Sequence, residues 1–134
     1  MMVALTVGVA AMVICLCVQG VLLFLATRYY VRHLTWVKSA SRTMTMLLIC
    51  QVMLMLVVGN LVQGGIWALL FVFLGEFGDW ATAYYFSLVN FATLGYGDIV
   101  MSERWRILGP LQAINGVLMI GVSTASITAV VHDA

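Results

Sequence analysis

The residues whose types and spacing could do chemistry are Thr93, Leu94, Gly95, Tyr96, Gly97 and Asp98, a short glycine-rich run between apolar stretches. Two glycines flank a tyrosine, and glycine, having no Cβ, reaches backbone angles closed to other residues. Alternating glycine with larger residues lets successive carbonyls turn to one side, where they can line a narrow passage. A ring of such carbonyls can stand in for the hydration shell of a metal cation. That chemistry is binding and passage rather than bond-making. The chain has no nucleophile–base pair, metal-ligand cluster or phosphate loop, so no enzyme is expected.

A passage of this kind needs a membrane around it, and the composition supplies one. Of the 134 residues, 64% are hydrophobic and 8% charged, against about a quarter charged in soluble domains. A soluble fold of this length cannot hide so much apolar surface, so the surrounding solvent is lipid. The net charge of +1 leaves no basic face for nucleic acid. No small-molecule substrate is expected either. Cys15, Cys17 and Cys50 lie in apolar runs without partner histidines, which reads as small packing residues rather than a disulfide or zinc framework.

The elements that must position the glycine run follow in chain order. Residues 1–26 form an N-terminal transmembrane helix, since roughly 20 apolar residues span a bilayer core. Its lack of a basic leader and its length separate it from a cleaved signal. Gln19, its one strongly polar interior residue, is expected to pack against a neighbouring helix. Residues 27–42 read as a basic loop carrying Arg28, Arg32, Lys38 and Arg42, four of the six Lys and Arg, with Tyr29, Tyr30 and Trp36 at headgroup level. A short interfacial helix could form within it. These arginines lie between apolar segments and lack a sustained three-residue spacing, so they anchor topology rather than sense voltage.

Residues 43–74 make an outer helix of about 48 Å if fully helical, long enough to tilt and project beyond the bilayer. Asn60, Gln63, Gly64 and Gly65 mark its packing faces. Residues 79–92 are too short to cross and read as a re-entrant pore helix with Asp79 as N-cap. Its C-terminal end, partly negative, aims at residues 93–98 and favours a cation there. Residues 107–131 form an inner helix with Pro110 in its first turn and Gly116 and Gly121 inside. Each glycine reads equally as close packing or as a point of bending. Three residues remain after it, so no soluble ligand-binding domain is expected.

Charge orients this set. Basic residues gather before the second helix, whereas Glu76, Asp79, Asp98 and Glu103 outnumber Arg104 and Arg106 after it. By the positive-inside rule the 27–42 loop is cytoplasmic, the glycine run faces outward, the N-terminus lies outside and the C-terminus inside. A locally negative mouth would also concentrate cations.

With a short helix, Thr-x-Gly-Tyr-Gly-Asp and a returning span in this order, residues 79–131 resemble the pore module of the tetrameric potassium channels. They most resemble the small bacterial ion-channel proteins with a two-helix pore, here with Tyr-Phe-Ser-Leu-Val-Asn-Phe-Ala (85–92) before Thr93. The first helix has no counterpart in that minimal pore. The resemblance implies an all-α integral membrane protein of a bacterial inner membrane, with three transmembrane helices, a pore helix and a filter loop. Residues 43–134 would be the pore domain. Each chain supplies one filter strand and no internal repeat supplies the others, so a closed ring implies a homotetramer.

Residue by residue, the resemblance implies that carbonyls of Thr93, Leu94, Gly95 and Tyr96 coordinate potassium ions, with the Thr93 hydroxyl at the inner end and no organic cofactor. Gly97 ends the filter and Asp98 sits just outside it. Val89 stands where some relatives carry a Glu behind the filter, which leaves Asp98 without that support. Gly116 matches the family's hinge position, and Val117, Ile120 and Thr124 would line the cavity. His132, near the inner mouth, is a candidate proton sensor; a solvated helix end is the alternative. A weakly selective cation channel would keep the fold but relax the filter. A non-conducting scaffold or subunit of a larger complex would account for the extra first helix.

Overall fold

A chain surrounded by lipid must satisfy its backbone hydrogen bonds within itself, and a helix does this within one segment. A computed structural model of the chain shows four helices in the order α1 (Met2–Lys38), α2 (Arg42–Phe73), α3 (Trp80–Phe91) and α4 (Leu108–Asp133), with no strand among the described residues. The structure describes residues 1–38 and 42–133, the side chains at 35–38 and 133 excepted. The side chains of Trp36 and Lys38, which bear on the topology above, lie outside the described set. Three helices contain stretches long and apolar enough to cross a membrane: Met2–Leu34, Arg42–Phe73 and Leu108–His132. The 12 residues of α3 are not.

The first helix does not end at Ala26, and most of the expected 27–42 loop is helical. Nothing between Thr27 and Lys38 breaks a helix, since that stretch holds neither Gly nor Pro. Tertiary bonds then hold the extension in place. The Tyr29 phenol donates to Gln51 Oε1 at 2.8 Å, and the Tyr30 phenol donates to the Val130 carbonyl at 3.2 Å. These tie α1 to α2 and α4 about one turn beyond the expected exit.

Both α1 and α3 pack on α2 and α4 without touching each other. Two apolar clusters run along the bundle. One joins Cys15, Trp67, Phe71, Phe86, Phe91, Leu108 and Met119; the other joins Ala26, Tyr30, Leu48, Val52 and Leu56. Small residues set the closest approaches. A Cβ at Gly59 would collide with Leu22 of α1, and one at Gly64 would come within 2.7 Å of Leu88 of α3.

Candidate functional site

The short helix starts where its chemistry says it should. Asp79 has extended backbone angles, and its carboxylate accepts from the Thr82 N–H at 2.9 Å, filling one donor that the first helical turn leaves unpaired. That bond from the Thr82 backbone, stronger to the ionised form, holds the Asp79 carboxyl below its usual range.

The other end closes with a Schellman motif. Ala92 is the C-cap, Thr93 N–H donates to the Asn90 carbonyl at 2.9 Å, and Leu94 N–H donates to the Val89 carbonyl at 2.9 Å. The position after the cap must then be left-handed, a place usually taken by glycine. Here it is Thr93, at φ 60°. A β-branched residue with positive φ is a marked outlier, costing about 1–3 kcal/mol where the surroundings impose it.

From there the backbone alternates. Thr93, Gly95 and Gly97 have φ of 60°, 55° and 75°, while Leu94 and Tyr96 between them have negative φ. Alternation of left- and right-handed residues turns successive peptide units the same way, collecting N–H groups on one side and carbonyls on the other. Glycine meets two of the three left-handed positions without a Cβ penalty. Residues 92–98 are all exposed, Leu94 at 55% and Tyr96 at 66%. The chain by itself leaves this strand uncovered.

Behind the strand, the Tyr85 phenol of α3 donates to Asp98 Oδ2 at 2.7 Å. Asp98 is therefore bonded to α3 through Tyr85, with Val at position 89. Val89 is buried and contributes its carbonyl to the Schellman motif. The signal missed in the sequence is a phenol donor one turn before Val89 on α3. A second brace lies further on: Glu76 accepts from the Ser102 N–H at 2.8 Å and the Ser102 hydroxyl at 2.6 Å, tying the α2–α3 connection to the segment after Asp98.

The fourth helix holds α3 from behind. Gln112 donates to the Ser87 carbonyl at 3.1 Å and to its hydroxyl, and Ser87 donates to the Gly64 carbonyl. A Cβ at Gly116 would collide with the Phe91 carbonyl oxygen, so this glycine permits close packing against the end of α3. Val117, Ile120 and Thr124 lie on one exposed face of α4, at helical spacings of three and four. Ile120 shares a groove with Ala92, Leu94 and Tyr96. His132 is exposed in the last turn, apart from the glycine strand.

The family model described as ion channel matches residues 55–133. The chain belongs to the ion channel family. Neither the curated proteins nor the solved structures gave a match. The channel domain so delimited begins within α2 and takes in α3, the glycine strand and all of α4. The whole of the channel's first helix, with its own polar contacts to α2 and α4, lies ahead of that domain.

Proposed function

We propose that the chain forms a homotetrameric potassium-selective channel, in which carbonyls of Thr93, Leu94, Gly95 and Tyr96 strip and replace the hydration shell of the passing ion. The observation that carries this reading is the alternation of φ sign from Thr93 to Gly97, set at the C-terminal end of a 12-residue helix. Four such strands around an axis would stack rings of oxygens, and repulsion between ions in adjacent rings would let tight sites release them. The partly negative end of α3 favours the cation. The exposed strand supports the fourfold assembly, because unpaired backbone at membrane depth is tolerated only when covered by protein or facing water.

In this arrangement the glycine strand opens outward, the termini lie outside and inside respectively, and Val117, Ile120 and Thr124 line the water-filled cavity. The assignment to a bacterial inner membrane rests on the resemblance. His132 would sit where the inner helices converge and sense protons there; a His132→Ala channel with an unchanged pH–open-probability curve would remove that role. The whole reading is tested by reconstituting verified tetramers in liposomes with a potassium gradient and measuring flux with and without barium. Barium-blocked potassium flux is expected. Absence of flux would leave a membrane scaffold, and equal sodium flux a weakly selective cation channel.

A further inference from the structure

Two buried amides and a buried hydroxyl link α2, α1 and α4. Gln63 of α2 donates to Gln19 Oε1 of α1 at 2.6 Å, and Gln19 Nε2 donates to the Ser123 hydroxyl of α4 at 3.0 Å. All three side chains are almost fully buried, at 0%, 3% and 4% exposure. The bond from Gln63 occupies the Gln19 oxygen and so turns the Gln19 amide nitrogen towards α4. In lipid the lost bonds would find no water to replace them, which makes the link directional as well as cohesive.

The link meets α4 at a particular point. Two residues before Ser123 stands Gly121, where a Cβ would find nothing in the chain within 4 Å. Beyond it, three hydroxyls turn back on their own helix: Thr124 to the Ile120 carbonyl, Ser126 to Val122 and Thr128 to Thr124, at 2.9, 2.9 and 3.0 Å. Such bonds compete with the helical ladder and bend helices. Upstream, Gly116 is pinned against Phe91 and Gln112 against Ser87. The first part of α4 is thus fastened to α3, and the part after Gly121, whose hydroxyls compete with its own ladder, is held by α1 at Ser123 and at the Val130 carbonyl.

We propose that α1 is a latch on the inner half of the pore-lining helix: α4 bends at Gly121, and the Gln63–Gln19–Ser123 chain sets how readily it does so. This gives the helix ahead of the channel domain a regulatory task, and it rests on α4 lining the pore. Its test is hydrogen exchange of the protein in lipid nanodiscs, comparing wild type with Gln19→Leu, Ser123→Ala and the double variant. Exchange across residues 122–131 is expected to quicken about three-fold in either single variant, as for one interhelical bond in a membrane. The double variant should go no further, and residues 108–116 should be unchanged. In conducting channels the open-to-closed ratio should shift by a similar factor in the same sense for both single variants, with ion selectivity preserved. Unchanged exchange at 122–131, equal quickening at 108–116, or additive effects in the double variant would each overturn the latch. Because exchange is read without current, a channel that fails to conduct would defeat the proposed function and still leave the latch decided.

Discussion

Tyr85 and Asp98 face each other across the turn at the end of α3, phenol to carboxylate at 2.7 Å, and they fix the outer end of the glycine strand to the helix that launches it. Hydrogen bonds to an ionised group are shorter and stronger than neutral ones. Tyr85→Phe removes the donor and keeps the ring. Currents through this variant should decay several-fold faster under sustained activation, with the reversal potential unchanged. Recordings with decay equal to wild type would show that the bond does not steady the strand.

Thr93 tests whether backbone strain and function are linked. Its left-handed φ of 60° is unfavourable for a β-branched side chain. Thr93→Gly should raise the thermal stability of the detergent-solubilised protein by about 1 kcal/mol per chain, while reducing the preference for potassium because the hydroxyl is gone. Thermal unfolding and bi-ionic recordings on the same preparation check both halves.

Gly95 has the opposite logic. Its φ of 55° suits glycine, which has no Cβ to clash there. Gly95→Ala would cost about 1–2 kcal/mol in that conformation, and conduction should fall to background while the assembly persists on size exclusion. Potassium flux from Gly95→Ala tetramers at the wild-type rate would remove these carbonyls from the path.

The two glycines of α4 should part company. Gly116→Ala drives a Cβ into the Phe91 carbonyl and is expected to destabilise by about 1–3 kcal/mol through overpacking. Gly121→Ala meets open space and should be neutral or stabilising by up to about 1 kcal/mol from helix propensity. Thermal midpoints of the two variants, measured in one detergent, give the comparison.

The N-cap makes α3 sensitive to acid. Asp79 in the fold titrates below its ordinary value of 3.8, first because of the Thr82 N–H bond. A depressed carboxylate contributes stability above its unfolded pKa and loses it as pH falls through the folded one. Thermal stability should therefore be level across neutral pH and fall in strong acid. Asp79→Asn, which keeps an acceptor but no charge, should lose that part of the acid dependence.

Much of the architecture was legible because lipid imposes a simple rule: apolar runs near Met2–Leu34, Arg42–Phe73 and Leu108–His132 become helices. The Asp79 cap was readable because its chemistry is local, one side chain and a donor three residues on. Gln19 was readable as a packing residue because an amide in an apolar run has few other options. What escaped depended on contacts distant in the chain or on backbone geometry. The continuation of α1 past Ala26 looks basic and loop-like until Tyr29 and Tyr30 find Gln51 and Val130. The Tyr85–Asp98 bond joins residues whose roles show only when α3 turns back, and the collision space at Gly116 exists only once α3 and α4 are packed. The strain at Thr93 follows from the Schellman closure of α3, which no composition or periodicity records.

The most direct test of potassium selectivity is the reversal potential of single tetramers in planar bilayers, with potassium chloride on one side and sodium chloride of equal concentration on the other. A carbonyl filter running from Thr93 to Tyr96 predicts a reversal potential displaced strongly towards the potassium equilibrium potential, and a smaller displacement in the same direction in Thr93→Gly, which keeps the carbonyl and loses the hydroxyl. A wild-type reversal potential near zero, with sodium carrying as much current as potassium, would contradict it.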